Sequence, residues 1–187
     1  MASEISVAIS DGVLTLSALG PAVLLGPSNK YASAGFLLVA TAAFLGVFRF
    51  GQSQAGHNLI YYHKLFTWLS TILGMNLLAS GFYYANNHST IASIHLVLAV
   101  VFTLGSLRTL NVIDEQRAET VASTTAVLSF LFGSLLLRNP FGVLGMLLYA
   151  VSGAVGTTGE LMQVKRVNWF HYIFAFGTLT LLKAFQY

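Results

Sequence analysis

Cysteine is absent from the 187 residues, proline occurs three times, and charged side chains make up only 8% of the chain. Without cysteine, a disulfide-stapled secreted domain is excluded. The scarcity of charge excludes a water-facing surface of ordinary polarity, because soluble domains carry roughly 25% charged residues. Nine Lys and Arg against six Asp and Glu leave a net charge of +3. That basic surface is too thin for a nucleic-acid footprint, so no nucleic-acid partner is expected. What the chain has in abundance is apolar: 56% of its residues are hydrophobic, which also excludes disorder. These proportions describe an integral membrane protein whose first partner is the lipid bilayer.

A helix crosses about 30 Å of hydrocarbon with about 20 mainly apolar residues. Seven stretches qualify approximately: Ser6–Leu25, Tyr31–Phe50, Lys64–Tyr84, Thr90–Leu107, Val121–Leu137, Phe141–Met162 and Asn168–Phe185. None alternates apolar and polar residues as a barrel strand would, and backbone groups in lipid must be satisfied internally. The expected fold is therefore all-α, a polytopic transmembrane bundle of seven helices within one membrane domain over residues 1–187. Polar breaks separate the spans, and Thr109–Thr120 is the one strongly charged loop. Asp11 and Gly20-Pro21 weaken the first span, so six crossings are the alternative. If that span does cross, Asp11 either marks the true helix start or is a buried carboxylate. The start of the chain, with Glu4 and no basic run, does not read as a secretory signal peptide.

Seven crossings place Arg49, Lys64, Arg108, Arg117, Lys165 and Arg166 on one side, and Lys30, Arg138 and Lys183 on the other. The excess of positive charge marks the cytoplasmic face. The N-terminus is then expected inside and the C-terminus outside or in a lumen, in a membrane the sequence does not name. The sequon Asn87-His88-Ser89 falls on the outer side.

Comparison of the chain with itself suggests a repeat. Tyr62-His63-Lys64-Leu65-Phe66-Thr67-Trp68 and Phe170-His171-Tyr172-Ile173-Phe174-Ala175-Phe176 share one pattern, and a small-residue helix precedes each. Spans one to three and five to seven would be two copies of a three-helix unit, with span four as the connector. Parallel repeats of this kind frame substrate sites between the copies. The arrangement resembles the three-plus-one-plus-three design of SWEET sugar transporters and their PQ-loop relatives. The resemblance is architectural: the chain has no Pro-Gln dipeptide, and its expected N-terminus-inside orientation differs from that group.

Ionisable groups inside a membrane are costly and mark functional candidates. His63, Glu160 and His171 fall near the same boundary and, with Asn76 and Thr157, are the candidate substrate-binding residues; Asp11 and His95 are further ionisable candidates. Two imidazoles suit axial haem ligation, and two imidazoles with the Glu160 carboxylate match an open zinc site. Against that, both histidines sit among aromatic residues as an interfacial belt would place them, and the ligand spacing of known zinc motifs is missing. No cofactor or catalytic residue is assigned. The glycines Gly142, Gly145, Gly153, Gly156 and Gly159 are expected to let helices pack closely.

The leading functional expectation is a multi-pass protein of transporter-like build that binds or moves a small neutral or lipidic molecule. The alternatives are a membrane-embedded lipid-modifying or metal- or haem-dependent enzyme using His63, His171 and Glu160, and a scaffold or accessory subunit. A membrane-protein partner or a homo-oligomer fits the last.

Overall fold

A computed structural model describes residues 4–107 and 112–187. Arg108 and the Thr109–Asn111 part of the expected charged loop lie outside these residues. Among the described residues there are seven helices: α1 (Ile5–Leu25), α2 (Lys30–Gly51), α3 (His57–Ala85), α4 (Ser89–Gly105), α5 (Glu115–Leu136), α6 (Pro140–Val155) and α7 (Arg166–Gln186). A two-stranded antiparallel hairpin, β1 (Glu160–Leu161) and β2 (Val164–Lys165), joins the last two. The fold is all-α.

Helices α1, α2, α3 and α5 are long and apolar enough to cross a membrane. Their large apolar side chains point outward: Leu16 is 74% exposed and Phe132 60%. Ser10, Asn76, Ser80, Ser134 and Thr178 are fully buried instead. A water-soluble bundle arranges these classes the other way round, so the helices are built to face lipid.

The starts of several helices are written in short polar side chains. Asn29, Asp114 and Asn139 each cap a helix by accepting a backbone N–H from the first turn, and Pro140 follows Asn139 where its missing N–H costs nothing. Neighbouring contacts run α1–α2, α2–α3, α3–α5, α5–α6, α6–α7 and α7–α1, closing a ring of six helices. Helix α4 stands outside the ring against α3 and α5.

The internal repeat is visible in matched interactions. Asn29 Nδ2 donates to Gly81 O at 2.8 Å, binding the start of α2 to the end of α3. Asn139 Nδ2 donates to Ala184 O at the same distance, binding the start of α6 to the end of α7. One turn into each capped helix, a glycine fits against a leucine and a glycine carbonyl: Gly35 against Leu78 and Gly74, Gly145 against Leu181 and Gly177. Asn29, Ala32 and Gly35 thus match Asn139, Gly142 and Gly145 at one constant spacing. Gly74, Leu78 and Gly81 match Gly177, Leu181 and Ala184 at another. The α1–α7 contact also has its counterpart in the α5–α3 contact.

The register of that repeat differs from the one expected from the two histidine motifs. Carried along the helices, the matched contacts put His171 opposite Thr67–Trp68 rather than His63, just over one turn away. Ser70–Gly74 in α3 forms a π-turn that α7 lacks, and its extra residue moves the match within α3 by one position, from Trp68 to Thr67.

Four other expectations are corrected. Helix α3 begins at His57 and α5 at Glu115, so His63 lies inside a helix and Glu115–Thr120 is not loop. Helix α6 ends at Val155, because Gly156 takes φ +70° and the chain turns into the hairpin rather than continuing to Met162. Asp11 is not at a helix start but is the buried carboxylate of the other reading: it lies well inside an unbroken α1 and is 1% exposed. Finally, Gly153, Gly156 and Gly159 have open space around them, whereas Gly142 and Gly145 pack tightly.

Candidate functional site

The ring encloses a cavity of about 1110 Å³ lined by all six of its helices and by the hairpin. Its mouth lies among the starts of α1, α3, α5 and α7 and the ends of α2 and α6, where Glu4, Arg49, His63, Thr120, Glu160 and Lys165 gather. Its inner end is apolar, made by Val39, Met75, Leu128, Tyr149 and Phe174. Phe170 and Phe174 stack with centroids 5.5 Å apart, and Phe174 stacks on Tyr149 at 3.9 Å, giving a continuous aromatic wall. The Tyr149 hydroxyl shares a 2.9 Å hydrogen bond with Thr178. Opposite, Thr67, Ser70 and Thr71 line the cavity where α3 makes its π-turn, a helix distortion frequent at functional sites. Each of these three hydroxyls donates to a carbonyl of its own helix.

Two polar clusters flank the mouth. In the first, Arg49 Nη1 donates to His63 Nδ1 at 2.8 Å, and the guanidinium also lies 4.9 Å from the centre of the Phe50 ring. Phe50 meets His63 edge-on, so α2 and α3 are fastened at this end by one interlocked group. Lys165 of the hairpin pairs with Glu4 at 2.9 Å, and Glu4 N–H donates to Phe50 O, drawing the hairpin and the start of α1 to the end of α2.

The second cluster is buried in the α1–α7 contact. His171 Nδ1 lies 2.9 Å from Ser10 Oγ, and Nε2 lies 3.4 Å from Asp11 Oδ1. Ser10 also stands 2.9 Å from Val7 O and 3.2 Å from Asn168 Oδ1. A hydroxyl has a single hydrogen. Ser10 therefore donates to one of the two oxygens, Val7 O or Asn168 Oδ1, and accepts from His171 when the imidazole carries its hydrogen on Nδ1. In that tautomer Nε2 carries no hydrogen and faces Asp11 Oδ1 at 3.4 Å. The other carboxylate oxygen, Asp11 Oδ2, has no hydrogen-bond partner. Room for the carboxylate comes from Gly46 on α2, where any Cβ would overlap it.

Of the sequence-derived candidates, His63, His171, Glu160 and Thr157 all line this cavity. Asn76 does not. It donates to Ile72 O at 2.9 Å and lies 2.9 Å from His95 Nδ1, while His95 Nε2 lies 2.8 Å from Ser129 Oγ. Tyr83 stacks on His95 and donates to Ser129 O at 2.7 Å. This buried group ties α3, α4 and α5 together. Among the described residues, no three His, Asp or Glu side chains converge as metal ligands. Ligation by His63 or His171 through the nitrogens described would displace Arg49, Ser10 or Asp11. Sequence reading passed over Ser10, Arg49 and Asn168. The traces were there: Ser10-Asp11 is a polar pair within an apolar span, and Asn168 stands one helical turn before His171.

Comparison with protein-family models, curated proteins and solved structures finds no match.

Proposed function

We propose that this chain binds a small, largely apolar molecule in the cavity between its two three-helix units and moves it toward or away from one membrane face. The observation that carries this reading is the cavity itself. Ligand pockets of roughly 300–1,000 Å³ bury most of a drug-sized molecule, and this one lies just above that range at about 1110 Å³. Its apolar inner end suits a hydrocarbon body, and its polar mouth suits a headgroup. Two similar units around one cavity are the usual build of carriers that rock one half against the other. On the positive-inside count the mouth faces the cytoplasm, which makes the whole chain a seven-span protein acting from that side. Enzyme chemistry has weaker support: the buried Ser10 does not line the cavity, and the histidines are engaged by neighbours.

The test is mass spectrometry of the protein purified from its membrane, with the bound molecule released and weighed. Gly153 lines the cavity and has no atom within 4 Å of a Cβ built on it, so Gly153→Phe fills the space without disturbing the fold. Native protein should carry a small molecule or lipid that Gly153→Phe lacks, and liposomes holding native protein should pass that molecule faster than liposomes holding the variant. Equal content and equal flux would overturn the proposal.

A further inference from the structure

We infer that the cavity is loaded sideways from the bilayer, by the acyl chain of a membrane lipid passing through a cleft between α5 and α6. This inference rests on the proposed function and names the class and source of the molecule for the same cavity. Among the described residues, no cavity-lining residue of α1, α2 or α7 is exposed. On α1, for example, Val7 and Leu14 line the cavity and are buried, whereas Ile9, Val13 and Leu16 face outward. Helices α5 and α6 differ. Val121, Leu128, Phe132 and Leu135 make one outward stripe along α5 at helical spacing. Leu128, 46% exposed, also lines the cavity, and so does the exposed Thr124 one turn before it. On α6, Ala150 stands three residues after the outward-facing Leu147, and Ala150 and Gly153 are both exposed and cavity-lining. Residues of two neighbouring helices that belong to both surfaces border an opening between them. In the other unit the same place is shut. At the spacing that relates Asn29 to Asn139, Ala150 and Gly153 correspond to Ala40 and Ala43, each 3% exposed and packed with Leu14 and Ala18 of α1. Gly153 has nothing within 4 Å of a Cβ built on it. An unfilled cleft forfeits dispersion contacts along its walls, but lipid tails are as apolar as leucine and restore them at little cost. Leu128 lies about 20 Å along α5 from Glu115, at the level of acyl chains rather than headgroups. The tail therefore enters there while its headgroup stays at the membrane face beside the mouth.

The experiment is photolabelling of the full chain in phosphatidylcholine nanodiscs, with the labelled positions mapped by mass spectrometry. The probe is a phosphatidylethanolamine with a diazirine near the end of one acyl chain and biotin on its headgroup, used bare or capped with streptavidin, which is too large to pass the mouth. Both forms should label Ser123, Val127 and Phe174, which line the cavity without joining the outward stripe, as well as the stripe itself. Gly153→Phe should lose the inner labels and keep the outer ones. Inner labels that vanish on capping would mean entry through the mouth, overturning the inference and leaving the proposed function standing. Labels confined to the outward stripe in both forms, or inner labels undiminished in Gly153→Phe, would also overturn it. In the first of these cases a small molecule released by native protein and not by Gly153→Phe would keep the proposed function, and release of none would overturn that too. The comparison of bare and capped lipid on the native chain decides the matter even if Gly153→Phe does not fold.

Discussion

The two contacts that the repeat relates, α1 with α7 and α3 with α5, are filled by opposite chemistry. Between α1 and α7 lie Ser10, Asp11, Asn168 and His171, a hydrogen-bonded group open to the cavity through Asp11 and His171. At the matching place between α3 and α5 lie Trp68, Ile72, Ala118 and Ala122, a small apolar cluster. One seam is polar and the other is packed with apolar side chains. The same helical scaffold thus carries a polar group on one side and apolar packing on the other. A site in a two-unit bundle does not require both units to contribute alike.

That contrast can be broken from either side. His171→Ala leaves Asp11 buried without its partner, and breaking a buried charged pair costs about 3–5 kcal/mol. The thermal midpoint in detergent should fall at least as far for this variant as for any other single change here, and a near-native midpoint would show that the pair is not buried as described. Trp68→Ala attacks the apolar seam through lost packing, for about 3–5 kcal/mol by the measure of other large-to-small core changes. Its loss should be independent of the molecule bound in the cavity, whereas the His171→Ala loss should depend on it. A smaller effect is expected of Gly46→Ala, whose Cβ would meet the Asp11 carboxylate. Overpacking of this sort costs roughly 1–3 kcal/mol, and the same substitution combined with Asp11→Ala should recover most of the loss. Smallest and most telling for the repeat are Asn29→Ala and Asn139→Ala. Each removes a helix cap, for about 1 kcal/mol, together with one interhelical hydrogen bond. Denaturation in mixed micelles should give two similar values, and strongly unequal ones would mean that the matched contacts are not equivalent in energy.

How much of this was legible in the sequence depends on the length scale. Seven apolar stretches and their order could be read because lipid imposes a strong, long pattern, and every helix found overlaps one of them. The ends moved wherever a polar segment was itself helical, as at His57–His63 and Glu115–Thr120, since hydropathy says nothing about whether a polar turn is coiled. The existence of two similar units was legible too, but their alignment was not. Two aromatic-His motifs at similar depth drew the eye to His63 and His171, whereas the equivalent residues are the quieter Asn29 and Asn139 in short turns. Asp11 illustrates the harder limit. Its place beside His171 is a contact between helices at opposite ends of the chain, and only ring closure brings them together. Gly153, Gly156 and Gly159 misled for the opposite reason: their spacing is that of a packing face, yet the helix stops before it can be used as one.

The π-turn at Ser70–Gly74 has one more consequence. An extra residue in a helix rotates everything before it by about 100° relative to everything after it. Helix α3 is therefore two half-helices set at different phases against the same sister, α7. Below the turn the phases agree, and Gly74, Leu78 and Gly81 keep the contacts that Gly177, Leu181 and Ala184 keep. Above it they disagree, and Trp68 occupies the place where α7 presents a histidine. A single inserted residue in one unit thus leaves the two units matched at the base and out of phase in the upper half, where two copies of one architecture can diverge in chemistry without disturbing what holds them together.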